Sequence, residues 1–231
     1  VMAWGIDLML ASASFTASLS DTDGVTGQMP ALAAVMLTAS VFMLLLVNGR
    51  WRAISALPLG IGIVSLMLFR PPDIMVADRG ALVAVRDASG DLRVTASKVG
   101  FAAETWLRGD GVPPMAFEAR RLLPRDMACD PSGCVAEAYP LPSEEGAGVA
   151  PLRVALSRSL EALEEDCRLA DMVISSFTLP SPCAKALAVG GPERTEKGAL
   201  ALWLEVVEGR VVITHLQWAR PVRTRPWHGA P

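Results

Sequence analysis

The chain has 231 residues, of which 52% are hydrophobic and only 19% charged, and its formal net charge is −3. A mean hydropathy of +0.37 is high for a wholly soluble protein, and the mild negative charge excludes a globally basic nucleic-acid binder. The apolar excess is uneven: residues 1–70 hold just Asp7, Asp21, Asp23, Arg50, Arg52 and Arg70 as charges, so two parts suited to different solvents meet near Arg70-Pro71-Pro72.

In chain order, Trp4–Leu19 is partly apolar but interrupted by Asp7 and several serines, which predicts an amphipathic helix at a membrane surface. The Ser20–Pro30 stretch reads as an exposed loop, so 1–30 forms an interfacial helix and loop. Ala31–Val47 and Ala53–Phe69 are uncharged apolar runs that predict a transmembrane helical hairpin over 31–69. Asn48-Gly49-Arg50-Trp51-Arg52 joins them. Arg50 and Arg52 place this joint in the cytoplasm by the positive-inside rule, so the part from 71 to 231 is expected outside it. Val1 is not an initiator methionine and no basic signal-peptide start follows, which predicts a C-terminal fragment of a longer membrane protein.

The polar part opens with short β-prone runs at Ile74–Ala77, Ala81–Arg86 and Leu92–Ala96, an antiparallel meander. Phe101–Arg108 predicts a short helix stopped at Gly109, and Gly111–Gly148 an irregular, proline-rich section. Leu156, Leu160, Leu163 and Leu169 have helical spacing, which predicts a helix over Leu156–Ala170, followed by a buried strand at Met172–Ile174. Ala199–Val207 and Arg210–Gln217 predict a hairpin about Glu208-Gly209. The fold class is mixed α/β.

Cys129, Cys134, Cys167 and Cys183 allow three disulfide pairings, of which 129–134 with 167–183 asks least of the chain. Zinc ligation and free thiols remain rival readings, although the spacings are not CxxC and neither histidine lies near a cysteine in sequence. Disulfides agree with the outward placement argued from the arginines. His215 alternates with Val211 and Ile213 in a strand, and His228 lies in the proline-rich terminus. No HExxH, GxSxG, P-loop or glycine fingerprint occurs. Catalytic residues, metal ligands and cofactors are therefore expected to be none. Glu161, Glu164, Glu165 and Asp166 read as a solvated helix face. In the tail, Arg220, Arg223 and Arg225 lie between Trp218 and Trp227. Arginines interleaved with aromatics can hold phosphates and stack on bases, which makes these five residues the candidates for DNA contact; the alternative is a tail that packs its tryptophans on the domain or the membrane surface.

The apolar pair running into Arg70-Pro71-Pro72-Asp73-Ile-Met-Val, then Gly80–Arg86, resembles ComEC-type competence proteins, in particular proteobacterial members with a short C-terminal domain. Phe101–Asp110, the Cys129–Cys134 loop, Asp166–Val173, Gly198–Leu204 and Arg225-Pro-Trp227 follow in order. The resemblance implies a polytopic inner-membrane channel protein that takes up single-stranded DNA in natural transformation, with a periplasmic C-terminal domain similar to metallo-β-lactamases. It implies as partners single-stranded DNA, the lipid bilayer, further membrane helices of the same chain or an oligomer, and other competence proteins. The family's metal-bearing members place histidines where this chain reads Ser175-Ser-Phe-Thr-Leu179, so the domain is expected to be degenerate and non-catalytic. Two alternatives stand beside this reading: a membrane-anchored hydrolase using Asp73 and Asp78 with a hard metal, and an anchored envelope module that binds a protein.

Overall fold

The computed structural model describes residues 2–18, 27–78, 82–95, 99–122, 127–141, 149–179, 183 and 186–220. The chain divides into two compact units, one of residues 1–71 with 107–114 and the other of residues 72–106 with 115–231.

The first unit holds α1 (Met2–Ser18), α2 (Ala31–Leu46), a 3-10 segment (Gly49–Ser55) and α3 (Ala56–Met67). The apolar side chains of α1 spread round the helix, and Trp4, Ile6, Met9 and Phe15 are all exposed. Its serines are satisfied locally, with the Ser12 and Ser14 hydroxyls donating to the carbonyls of Met9 and Ala11. α2 and α3 pack through a close approach at Gly62, where a Cβ would lie 2.8 Å from Leu37 Cγ. Ser40 is buried between them and donates to Ser55 O at 2.9 Å.

The expected transmembrane hairpin is corrected here: among the described residues no helix is long and apolar enough to cross a membrane. α2 has 16 residues and α3 has 12, whereas a span of the hydrocarbon layer takes about 20 at a rise of about 1.5 Å each. The apolar runs are longer than the helices because their ends take other conformations. Pro30 starts α2, Val47 is already extended, and Gly49, with φ of 70°, turns the chain into the 3-10 segment. That segment absorbs Ala53–Ser55 from the second run.

The second unit is built on two five-stranded sheets. In chain order it contains β1 (Ile74–Val76), β2 (Val83–Arg86), β3 (Leu92–Val94), α4 (Phe101–Gly109, whose last three residues belong to the first unit), β4 (Ala128–Cys129), β5 (Gly133–Ala138), β6 (Leu152–Ser157), α5 (Leu160–Leu169), β7 (Met172–Ser175), β8 (Leu187–Val189), α6 (Gly191–Lys197), β9 (Leu200–Val207) and β10 (Arg210–Trp218). One sheet runs β10-β9-β1-β2-β3 and is antiparallel throughout. The other runs β4-β5-β6-β7-β8, antiparallel from β4 to β6 and parallel from β6 to β8. The main core lies between them. Ile74, Val83, Val85, Leu200, Leu202 and Leu204 from one sheet meet Ala136, Leu152, Val154, Met172 and Ile174 from the other. α5 covers the opposite face of the second sheet, setting Leu163 against Ala155 and Val173.

The meander, the short helix at Phe101, the strand at Met172 and the final hairpin all form close to the expected positions. Glu208 and Gly209 both take positive φ, 52° and 75°, the geometry of a two-residue turn matched to strand twist. One helix is corrected: Leu156 belongs to β6, and α5 begins only at Leu160. Ser159 makes the boundary by accepting the N–H of Ala162 at 3.2 Å, an N-cap that the leucine spacing conceals. The section expected to be irregular contains β5, whose inward residues Cys134, Ala136 and Ala138 are small. The observed fold class is mixed α/β in two sheets, without the membrane-spanning pair.

Candidate functional site

The second unit carries an open cleft of about 1110 Å³, walled by β4, β5, the end of β2 and α5. Its lining holds the carboxylates of Asp87, Asp130, Glu137, Glu165 and Asp166 against two guanidiniums, Arg93 and Arg153. Several of these are already engaged. Asp87 Oδ1 accepts the backbone N–H groups of Ser89 and Asp91, and its other oxygen pairs with Arg93. Asp130 Oδ1 accepts from Ser132 N at 2.8 Å and Gly133 N at 2.7 Å, fixing the β4–β5 turn. Asp166 accepts the hydroxyl of Ser157. Tyr139 donates to Glu137 at 3.1 Å. Burial, then the hydrogen bond and charge of Glu137, then the charge of Asp87 push the Tyr139 phenol above its ordinary pKa. The cleft is therefore electronegative, a surface that repels a phosphate backbone and suits cationic groups.

Both cysteine pairs are at disulfide distance in the local pairing, Cys129–Cys134 with S–S 2.15 Å and Cys167–Cys183 with S–S 1.95 Å. The first joins register partners of β4 and β5. The second ties α5 to the segment after β7 and packs on the apolar cluster under that helix.

The tail candidates separate. Trp218 closes β10 and packs on the main core, with Lys197 Nζ 5.3 Å from its ring centre. Arg220 donates to Thr195 O at 2.6 Å, on the last turn of α6. Arg223, Arg225 and Trp227 lie outside the described residues, as does His228. His215 is exposed and rests 5.0 Å from the Trp203 ring on β9. Arg52 Nε, expected from the sequence to mark membrane topology, donates to Leu44 O at 2.9 Å and so closes the turn after α2. Arg50 lies in the same 3-10 segment. Glu161, Glu164 and Glu165 are exposed on α5, as a solvated face requires.

The acidic residues of the hydrolase alternative have structural tasks. Asp73 is wholly buried: Oδ1 accepts Leu141 N at 3.0 Å, Oδ2 accepts Leu204 N at 2.8 Å, and Arg86 Nε lies 3.6 Å away. Asp78 stands near Arg194, a residue that no sequence motif marks. Arg194 is 2% exposed and donates to Ala77 O at 3.1 Å and Ser175 O at 2.8 Å, clamping the end of β1 in one sheet to the end of β7 in the other. Burial lowers its pKa and Asp78 opposes that shift. Only the Gly190-Gly191-Pro192 helix start hinted at this element. Among the described residues no group of three or more His, Cys, Asp or Glu side chains is arranged to hold a metal ion.

No family model, curated protein or solved structure matches the chain. The metallo-β-lactamase-like domain expected from the sequence resemblance is corrected to a mixed α/β unit of two five-stranded sheets.

Proposed function

We propose that the chain is the C-terminal part of a ComEC-type DNA-uptake protein of the bacterial inner membrane. Its two-sheet unit stands in the periplasm and guides single-stranded DNA without cutting it. The observation that supports this reading is the local bonding of all four cysteines, since structural disulfides persist in oxidising compartments. The ordered motifs of the sequence supply the rest of the reading. Exposed apolar side chains of the first unit, among them Leu32, Phe42, Leu45, Leu57 and Met67, are suited to cover by lipid, by further helices of the same protein or by an oligomer.

The DNA path follows from charge. An electronegative cleft is a poor channel for phosphates, and Trp218 and Arg220 are bound to the fold. Arg223 and Arg225, with Trp227, are then the contacts. Alanine at both arginines in the full protein should weaken binding of a single-stranded oligonucleotide by about tenfold, flatten its salt dependence and lower transformation frequency. Unchanged binding and transformation would remove the DNA-guiding reading.

The cleft itself favours a second reading, an envelope module that holds a basic segment of a protein such as another competence protein. Glu137→Gln with Glu165→Gln should then weaken capture of a lysine-rich peptide while leaving oligonucleotide binding unchanged. Equal peptide capture by the variant would discard it.

A further inference from the structure

The two disulfides occupy different environments. Cys167 and Cys183 are half-buried and pack on the cluster formed by Ala155, Leu163 and Val173. Cys129 is exposed, on the outermost strand of its sheet, and β4 is only two residues long. β4 pairs with β5 at just two positions, Ala128 with Val135 and Cys129 with Cys134. Ala128 is exposed as well, so no buried side chain anchors the strand. The covalent bond is thus one of three restraints on β4, beside the packing of Met127 on the main core and the hydrogen bond from Asp130 N to Gly133 O at 2.9 Å, and it is the one that a reductant can open. The turn beyond it has its own restraints through Asp130, so opening the bond leaves the turn and β5 in place. Met127, Ala128, Cys129 and Cys134 all line the cleft, so the position of β4 sets one of its walls.

We propose that Cys129–Cys134 is a thiol–disulfide exchange site for a dithiol oxidoreductase, and that its redox state controls the β4 wall of the cleft. Exchange needs an approach to one sulfur along the S–S axis, and of the two residues Cys129 is exposed whereas Cys134 is buried. A thiolate of the partner attacks Cys129 Sγ, forming a mixed disulfide there and releasing Cys134 as a thiolate that takes up a proton. The partner's second thiol then attacks its own sulfur in the mixed disulfide and frees Cys129. The protein disulfide is reduced by two electrons and the partner's dithiol is oxidised to a disulfide; run backwards, the same steps close the bond. Cys167–Cys183, set on an apolar cluster, takes no part. This inference does not depend on DNA binding, since it concerns sulfur access and the attachment of one strand.

The test uses the intact, oxidised chain under native conditions. It is exposed to dithiothreitol, sampled over time, alkylated, and mapped by peptide mass spectrometry. In parallel, a CxxC oxidoreductase whose second cysteine is changed to serine serves as a trap. Cys129 and Cys134 should take up label at least tenfold faster than Cys167 and Cys183, and the trap should link to Cys129. Hydrogen exchange after this first step should rise at residues 127–129 and stay unchanged through β6 and β7. The Cys129→Ser/Cys134→Ser variant should reproduce that exchange pattern with its remaining bond intact. Opening of Cys167–Cys183 first or at the same rate, a trap linked to Cys134, resistance of both bonds, or unchanged exchange at 127–129 after reduction would each overturn the proposal.

Discussion

Asp73 Oδ2 accepts the backbone N–H of Leu204 at 2.8 Å, so a side chain at the head of β1 completes the hydrogen bonding of β9. β1 pairs with β9 only from Leu200 to Leu202, and the carboxylate extends that pairing by the reach of one side chain. The other oxygen holds Leu141 at 3.0 Å, and Arg86 stands behind the pair. Arg86 in turn donates to Gly90 O at 2.7 Å and Pro72 O at 3.2 Å. Asp73→Ala leaves the buried N–H of Leu204 and the half-buried N–H of Leu141 without this acceptor and takes the carboxylate away from Arg86, and is expected to cost about 3–5 kcal/mol. Asp73→Asn keeps an acceptor oxygen and should cost less. Urea unfolding of the three proteins checks the order; equal stability of wild type and Asp73→Ala would refute the role given to this carboxylate.

Arg194 performs a similar task at the other ends of the strands, where its two carbonyl partners belong to different sheets. A lysine is a point donor on a flexible stem and cannot hold both carbonyls in one plane. Arg194→Lys is expected to lose about 2–3 kcal/mol, and Arg194→Met at least as much, because a buried carbonyl left without a donor costs its desolvation. Thermal unfolding measures both. A lysine variant as stable as wild type would show that one carbonyl contact suffices.

How far the sequence discloses this structure depends on the reach of each interaction. Glu208-Gly209 and Ser159 act within a few residues, and local chemistry identifies the turn and supplies the cap, although the leucines around Ser159 suggested a longer helix. Gly133–Ala138 is faint in the sequence because its inward positions are cysteine and alanine, small residues that let the sheets approach but signal strand weakly. The apolar runs 31–47 and 53–69 are plain in composition. Their helix lengths are set instead by Gly49 and the 3-10 segment, which hydropathy does not register. In the sequence Asp73 is legible only as part of the Arg70–Val76 motif and as an acidic residue open to a hard metal. Its true partners are 68 and 131 residues away in sequence. Arg194 reaches a carbonyl 117 residues distant and left no local mark.

Tyr139 is the chain's single tyrosine, so phenolate absorbance reports it alone. Its pKa is raised by burial first and by Glu137 next. A raised folded-state value favours the neutral phenol. The stability it contributes is therefore complete below the ordinary value of about 10 and is lost as pH climbs through the folded value. An alkaline titration should place the midpoint above that of a free tyrosine, and Glu137→Gln should lower it without removing the part due to burial. A midpoint that does not move in the variant would mean that the hydrogen bond to Glu137 has no weight.

Arg220 distinguishes a structural arginine from the two that follow it in the tail. Its guanidinium donates to Thr195 O at 2.6 Å and its backbone N–H to Lys197 O at 2.9 Å, so it supplies the last turn of α6 with donors that the helix lacks. A cation at this end is also favoured by the helix dipole. Its side chain lies along Gly198, where a Cβ would meet Arg220 Cγ at 3.2 Å. Arg220→Ala is therefore expected to lower stability by about 1 kcal/mol and to leave oligonucleotide affinity within about twofold, a change of less than 0.5 kcal/mol. The Arg223→Ala/Arg225→Ala protein should show the reverse, near-native unfolding with weakened DNA binding. Measuring both properties on both proteins separates the two tasks. An Arg220→Ala protein of native stability that loses DNA would return this residue from the helix end to the nucleic-acid contacts.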